Sequence, residues 1–176
     1  DLFSKGEINQ ALDAVQDLIK DYPNEPVLFN IRGACYADLG QLDVAVTNYK
    51  EAITIKPDYA KAHFNLAGSL HDLGQLETAV QSYQKTIEIE PNYAEAYNNL
   101  GNVFQELEQG DSAVQSYKRA LEIKPDYVAA QYSLGNAFME LGQLNKAVKS
   151  YKAALKLKPD FVEAINNLGI TFFKLH

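Results

Sequence analysis

The chain has 176 residues, of which 23 are acidic and 16 basic, so its formal net charge at pH 7 is −7. This acidic balance argues against binding to a phosphate backbone, and nucleic acid is therefore not expected as a partner. A single cysteine, Cys35, excludes an internal disulfide, and the sequence shows neither a signal peptide nor an apolar run near the ~18 residues that a membrane helix requires. We therefore expect a cytoplasmic protein without a membrane partner.

Prolines recur at a fixed interval along almost the whole chain. They define a 34-residue period and are Pro23, Pro57, Pro91, Pro125 and Pro159. Alanines and tyrosines keep the same interval, as do glycines, except that Glu108 stands at one of the glycine positions. A fixed period of about 20–50 residues is typical of stacked repeats. The sequence therefore predicts a repeat protein.

The first predicted elements belong to a partial repeat, in which Leu2 and Phe3 end one helix and a second helix runs from about Glu7 to Tyr22. Each later period predicts two helices. One helix stops at a glycine such as Gly74 and the other at the next proline, because Gly or Pro just past a helix end is a stop signal. No stretch alternates with a period of two, so strands are not expected.

The helix ends also carry local signals. Capping-box spacing marks two starts, Asn92 with Glu95 and Asp160 with Glu163. Hairpin turns are expected near Gly40, Gly74, Glu108–Gly110 and Gly142. The chain is predicted to be a single array, 1–176, with partial repeats at 1–25 and 162–176 and full repeats at 26–59, 60–93, 94–127 and 128–161. Because these ends are not repeat boundaries and no initiating Met is present, we expect a fragment of a longer protein.

Each full repeat carries a set of signature residues. In the third they are Tyr97, Leu100, Gly101, Phe104, Ala113, Tyr117, Ala120 and Pro125. This pattern resembles the tetratricopeptide repeat (TPR) family, and the match covers nearly the whole chain. The resemblance implies an all-α fold, a right-handed solenoid of antiparallel helix hairpins with a 34-residue period, and a role in protein–protein interaction.

Small residues recur on both helices of each hairpin and are expected to face each other, so that the helices cross closely while tyrosines fill the space beside the crossing. The pairs are Gly33 with Ala45, Ala67 with Ala79, Gly101 with Ala113, and Gly135 with Ala147.

The sequence predicts no catalytic, cofactor-binding or metal-binding residue. His63 and His71 lie eight residues apart, not at the i, i+4 spacing that lets two imidazoles share a metal. The glycines are spaced as helix stops and not as a phosphate-binding loop, and no Ser or Cys lies in a nucleophile motif. Cys35 is interpreted as a small packing residue. We expect no cofactor and no enzyme activity within these residues.

Polar residues recur on the first helix of each hairpin. The resemblance implies that these helices line a concave wall where the family binds peptides. The predicted peptide-binding residues are Asn65, Asn98, Asn99, Asn102, Tyr132, Asn136, Asn166 and Asn167. An amide side chain offers a donor and an acceptor, so it can hold the backbone of an extended partner. The alternative is a solvated polar face, or Asn bonded to its own helix.

The asparagine pattern is similar to that of the repeat arm of O-linked N-acetylglucosamine transferases, whose inner-wall asparagines bind peptide backbone. Asn65, Asn99 and Asn167 match that position, whereas Ile31 and Ser133 depart from it. The family's other binding mode, a carboxylate clamp, needs Lys and Arg among these asparagines. They are missing here, so a clamp is not expected.

Acidic residues follow the same wall, at Asp38, Asp72, Glu106 and Glu140. They favour a neutral or basic partner segment. The alternative is a row of solvated charges without a function.

The last predicted helix carries an apolar stripe that ends in Phe172 and Phe173. These two residues are expected to mediate weak self-association, head-to-tail or as a symmetric dimer. Three functions therefore stay open: a scaffold that binds an extended or helical peptide segment, the substrate-targeting arm of a larger transferase, and a self-assembly module.

Overall fold

The computed structural model describes the backbone of residues 2–175, and side chains from Gly6 to Leu175. Within these residues the chain forms ten α-helices and no strand. The helices are α1 (Leu2–Asp21), α2 (Pro26–Asp38), α3 (Leu42–Ile55), α4 (Ala60–Asp72), α5 (Leu76–Ile89), α6 (Ala94–Glu106), α7 (Gly110–Ile123), α8 (Val128–Glu140), α9 (Leu144–Leu157) and α10 (Val162–Leu175). The predicted all-α fold with two helices per period is confirmed.

The helices group into two compact units, residues 1–91 and 92–176. In unit 1, α2 packs against α3 and α4 against α5, and in unit 2 the same hairpins form from α6 with α7 and from α8 with α9. Within each unit the second helix of one hairpin also packs against the first helix of the next, as α3 does against α4 and α7 against α8. The core of unit 2 contains the buried residues Ala113, Val114, Tyr117, Leu134, Ala137, Phe138, Ala147 and Tyr151.

The hairpin turns lie where they were predicted. Gly40, Gly74 and Gly142 follow the ends of α2, α4 and α8 with φ of 74°, 73° and 68°, a left-handed conformation that only glycine adopts without strain. Glu108 takes the same conformation after α6, with φ of 58°. The backbone therefore keeps one turn geometry throughout, even where the sequence departs from glycine.

Three helix starts differ from their predictions. The prediction that a new helix begins near Glu7 was wrong, because α1 runs without a break from Leu2 through Gly6. Gly6 does not have a positive φ, so it makes α1 less stable than an alanine would but does not end the helix. The capping box at Asn92 was also wrong, because the N-cap of α6 is Tyr93, which makes no side-chain capping bond. Asp160 likewise lies two residues before α10 begins at Val162.

The close crossing inside a hairpin pairs a glycine with a tyrosine ring. An ideal Cβ placed at Gly135 would lie 2.5 Å from Cε1 of Tyr151, and the corresponding distance from Gly101 to Tyr117 is 2.6 Å. The tyrosine that was expected beside the crossing therefore lies directly against the glycine. At Gly101 and Gly135 the tyrosine ring of the second helix thus occupies the space that a side chain would need. The α4–α5 hairpin has Ala67 at this position, and its tyrosine, Tyr83, is also buried.

Candidate functional site

The predicted peptide-binding residues of unit 2 lie on its three first helices, and we call them the asparagine face. They are Asn98, Asn99 and Asn102 on α6, Tyr132 and Asn136 on α8, and Asn166 and Asn167 on α10. Asn98 is buried, Asn166 is exposed, and the others are half-buried. These side chains are therefore not a row of fully solvated amides, and most of them have protein partners.

Tyrosine hydroxyls reach the asparagine face from the second helices. The Tyr151 hydroxyl donates a hydrogen bond to Asn136 Oδ1 at 2.7 Å, and the Tyr117 hydroxyl lies 2.8 Å from Asn102 Oδ1. Both rings are fully buried against the glycines described above. From the sequence, these tyrosines were expected only to fill the space beside the helix crossing. The signal for a second role was that each tyrosine follows its asparagine at the same sequence separation.

The buried tyrosines have raised pKa values. Burial raises the pKa of Tyr151 to about 12, with smaller contributions from Tyr132 and Glu140. Burial also raises the pKa of Tyr117, and the carboxylates of Glu140 and Glu106 add to this effect. Because the phenols keep their protons, they remain hydrogen-bond donors to the asparagine oxygens.

A connected network joins α8 to α10. Asn167 Nδ2 donates to Asn136 Oδ1 at 2.9 Å and to the Tyr132 hydroxyl at 3.1 Å. Asn136 Oδ1 thus accepts bonds from both Asn167 and Tyr151. The orientation of each amide group is set by these partners.

Asn98 breaks this pattern. Its Nδ2 donates to Asn99 Oδ1 at 3.2 Å, but its Oδ1 is buried and has no hydrogen-bond partner among the described residues. Tyr132, which stands one repeat period after Asn98, accepts a hydrogen bond from Asn167 on the next first helix. The corresponding partner for Asn98 would be Ser133, which stands one repeat period before Asn167. Ser133 instead forms a hydrogen bond with Tyr117.

Unit 1 contains one predicted site residue, Asn65 on α4. Its Nδ2 donates to Asn30 Oδ1 on α2 at 3.0 Å, the same relation between successive first helices as in unit 2. Asn30 is buried and was not predicted as a site residue. Phe64, beside Asn65, instead packs edge-on against Tyr83, with ring centroids 5.8 Å apart.

Charge is unevenly distributed in unit 2. Glu140 on α8 accepts a hydrogen bond from Gln105 Nε2 at 2.9 Å, at the edge of the asparagine face. Exposed basic residues lie mainly on the second helices, α7 and α9. They are Lys118, Arg119, Lys146, Lys149, Lys152 and Lys156. Amides and carboxylates, not cations, therefore dominate the chemistry of α6 and α8.

The other candidate residues have structural partners. His63 Nε2 donates to the carbonyl oxygen of Pro57 at 2.9 Å. Burial, followed by the charge of Asp38, raises the pKa of the Cys35 thiol. In the part of the chain that the structure describes, no group of three or more His, Cys, Asp or Glu residues is arranged to hold a metal ion. Nor is any helix among residues 2–175 long and apolar enough to cross a membrane.

The self-association residues lie near the end of α10. Phe173 is 86% exposed and Phe172 is 39% exposed. Lys152 on α9 lies over the Phe172 ring, with Nζ 5.5 Å from its centroid.

The comparisons with known proteins agree on one family. A family model described as TPR repeat matches residues 33–71, 68–108, 106–142 and 135–175. Among curated proteins, the chain is 37% identical over 59 residues to Hsp70-Hsp90 organizing protein 2 of Arabidopsis thaliana, and 30% identical over 67 residues to the peroxisomal targeting signal receptor of Candida glabrata. These matches cover 34% and 38% of the chain but only 10% and 11% of the relatives.

Solved structures match over nearly the whole chain. MamA has a TM-score of 0.82 and 27% identity, with 91% of this chain and 94% of that chain covered. YrrB, described as a TPR protein with an unusual peptide-binding site, has a TM-score of 0.80 at 19% identity, with 93% and 84% covered. The likeness to YrrB shows the fold alone.

Proposed function

The chain belongs to the TPR repeat family, and we propose that it is a protein–protein interaction scaffold whose asparagine face binds an extended peptide segment. One observation carries the proposal: tyrosine hydroxyls hold the amide groups of Asn102 and Asn136 in fixed orientations. A fixed amide loses less conformational entropy when a ligand binds than a freely rotating one does.

The network on α8 and α10 leaves one donor and one acceptor for a ligand. Asn136 accepts both of its bonds through Oδ1, so its Nδ2 is available to donate to a ligand carbonyl. Asn167 donates both of its bonds through Nδ2, so its Oδ1 is available to accept from a ligand N–H. A donor beside an acceptor complements a backbone peptide group, and this pairing favours an extended segment whose own groups are unpaired.

The contact between a tyrosine hydroxyl and an asparagine Oδ1 recurs one hairpin earlier. The Tyr117 hydroxyl lies between Asn102 Oδ1, at 2.8 Å, and Gln105 Oε1, at 2.5 Å. Gln105 is itself oriented by its bond to Glu140. Repetition from one hairpin to the next supports recognition of a repeating group, which in a peptide is the backbone.

Charge supports a neutral or basic segment. Glu106 and Glu140 lie close enough to Tyr117 to raise its pKa, so they border the asparagine face. A basic side chain of the ligand would be attracted to these carboxylates, whereas an acidic one would be repelled. The names of similar proteins support peptide binding in general but say nothing about charge, since one is a receptor of a targeting signal and another is described by its peptide-binding site.

The test begins with selection of peptides of random sequence on the immobilised chain, followed by calorimetric titration of the selected peptides. The double substitution of Asn102 and Asn136 by Ala is expected to weaken binding by about 1–3 kcal/mol, the cost of hydrogen bonds left unmade. Asn145→Ala, an exposed asparagine on α9, is the matched control and should bind like the parent chain.

A second variant tests the orientation argument. Tyr151→Phe removes the hydroxyl that holds Asn136 but leaves every amide in place, so it should weaken binding by about 0.5–1.5 kcal/mol. Unchanged affinity in both variants, with helicity retained, would remove the asparagine face from the function. Failure to select any peptide would also count against the proposal.

A further inference from the structure

The outer side of unit 2 contains a groove between two second helices. The first helices α6 and α8 pack against each other, whereas among the described helices α7 and α9 do not touch. α8 lies between α7 and α9 and packs against both of them. The second helices therefore form the two walls of a groove, and α8 forms its floor. We call this the outer groove.

The outer groove contains a cavity near the turn between α8 and α9. The cavity has a volume of about 340 Å³, and its apolar surface comes from Val114 of α7 and Phe138 of α8. Both side chains are nearly buried. The volume lies near the lower limit of ligand pockets, which measure about 300–1,000 Å³. The cavity therefore suits a side chain of a partner better than a large cofactor.

Two lysines approach the floor of the cavity from its two walls. Lys118 Nζ on α7 lies 5.9 Å from the centroid of the Phe138 ring, and Lys146 Nζ on α9 lies 5.4 Å from it. Lys146 Nζ also donates to Gln143 Oε1 at 2.8 Å. The ion pairs found among the described residues involve neither lysine. Two ammonium groups near one ring repel each other, and a bound anion would offset that repulsion.

The charge around the outer groove is predominantly positive. Arg119 on α7 is paired with Glu122 at 2.7 Å, so Lys118 is the basic residue of that helix that remains outside an ion pair. Asp111 also lines the cavity and supplies one negative charge against the two lysines. α9 has no acidic residue, and its basic residues are Lys146, Lys149, Lys152 and Lys156. This surface therefore attracts anions, although the whole chain has a net charge of −7.

Unit 1 has a groove of the same construction between α3 and α5, with α4 as its floor. Its cavity of about 460 Å³ is lined by Lys50, Lys85 and Leu66, among other residues. Lys50 stands two repeat periods before Lys118. Lys85, however, is paired with Glu88 at 3.0 Å, so less of the positive charge there is available to a ligand. The comparison favours the outer groove of unit 2 as a binding site.

We propose that the outer groove binds an acidic amphipathic helix of a partner protein. The space between two helices suits a third helix, whose apolar side chains recur every three or four residues and would pack against Val114 and Phe138. Carboxylates beside that apolar face would lie near Lys118 and Lys146. A phosphate backbone or a lipid surface would need a broad basic area, whereas here two lysines flank an apolar cavity that also contains Asp111.

Fluorescence anisotropy with a labelled synthetic peptide tests the proposal. The probe has about 12 residues, with leucines at helical spacing of three and four and glutamates at the other positions. Two matched peptides replace every glutamate by glutamine or every leucine by serine. The parent chain should bind the acidic peptide, and added salt should weaken that binding. Each matched peptide should bind about tenfold more weakly. Absence of binding up to about 1 mM acidic peptide would overturn the proposal, as would equal binding of the serine peptide.

Variants of the chain locate the site. The double substitution Lys118→Gln and Lys146→Gln should weaken binding by about tenfold, because each partly exposed ion pair contributes modestly. Lys156→Gln with Lys158→Gln is the control, since it removes the same charge from exposed lysines that do not line the cavity, and it should change affinity by less than about twofold. Asp111→Asn should strengthen binding by about twofold, because it removes the carboxylate of the cavity. Equal losses in the two lysine pairs would reveal unspecific attraction and refute the site.

Other partners and the other surface are tested with the same variants. Phosphatidylserine vesicles and a single-stranded DNA oligonucleotide should not bind in a way that depends on Lys118 and Lys146. If either does so while the acidic peptide fails to bind, the groove serves another class of partner and the proposal is wrong. Substitution of Asn102 and Asn136 by Ala should leave binding of the acidic peptide unchanged, because these residues belong to the asparagine face. Loss of binding in that variant would place the peptide on the asparagine face and contradict a separate site.

Discussion

Substitution of Gly135 by Ala tests whether the tyrosine ring sets the glycine requirement of the hairpin. The new Cβ would lie 2.5, 2.7 and 3.0 Å from three atoms of the Tyr151 ring. A flexible neighbour would move away at little cost, but this ring is completely buried and its hydroxyl is bonded to Asn136. The collision must therefore be absorbed by strain or by a shift of the two helices.

Two opposing effects determine how much Gly135→Ala changes the free energy of unfolding. Alanine gains about 1 kcal/mol over glycine inside a helix. Insertion of an extra methyl group into a packed core costs about 1–3 kcal/mol. Because the contact at Gly135 involves three ring atoms at once and the ring cannot rotate freely, we take the upper half of that range. The net expectation is a loss of about 1–2 kcal/mol in the free energy of unfolding.

Gly169→Ala is the matched control, because it makes the same chemical change at the same repeat position without the ring. Nothing lies within 4 Å of its Cβ, so only the gain in helix propensity remains, and stability should rise by up to about 1 kcal/mol. Urea denaturation followed by circular dichroism measures both variants. Effects of the same sign at the two positions would refute the argument, since propensity alone would then explain them.

Three further predictions concern single residues. Ser133→Asn should give the buried Asn98 Oδ1 its missing donor and raise the free energy of unfolding by about 1 kcal/mol, a gain that should vanish in the Asn98→Ala background of a double-mutant cycle. Glu108→Gly should stabilise the chain by about 1 kcal/mol in urea denaturation, because Glu108 is strained by a left-handed φ of 58°. The pKa of Tyr151 is raised in the folded state to about 12, so its stabilising contribution is complete below the ordinary phenol pKa of 10.0 and is lost as pH rises through about 12. Alkaline titration of phenolate absorbance should show a late step that is smaller by one tyrosine in Tyr151→Phe, because burial also raises the pKa of Tyr49 and of Tyr117.

The helices were predictable because each is bounded by local signals that repeat. The second helix of the second full repeat was expected to stop at the next proline, Pro91, and is observed as Leu76–Ile89. Its end depends on Pro91, and the turn before it depends on Gly74, which adopts a left-handed φ without strain because it has no side chain. Signals of this kind need no knowledge of the neighbouring helices.

The partner of each small residue was not predictable in the same way. Gly135 and Ala147 are both small and both periodic, so the sequence alone favours their direct contact. Which residue occupies the space above Gly135 depends on the rotamer of Tyr151, and that rotamer is set by packing between two helices and by the hydrogen bond to Asn136. Periodicity identifies the residues that are buried but not the contacts among them.

The site depends even more strongly on distant partners. Asn136 and Asn98 are both amides on first helices, at different positions of the repeat, yet Asn136 Oδ1 accepts two bonds and Asn98 Oδ1 accepts none. The difference arises on the following first helix, where Asn167 supplies a donor to one hairpin and Ser133 does not supply it to the other. Which atoms of an amide are free to bind a ligand is therefore determined by the following repeat. A substitution at Ser133 should accordingly alter the hydrogen bonds of the asparagine face without changing any residue assigned to it.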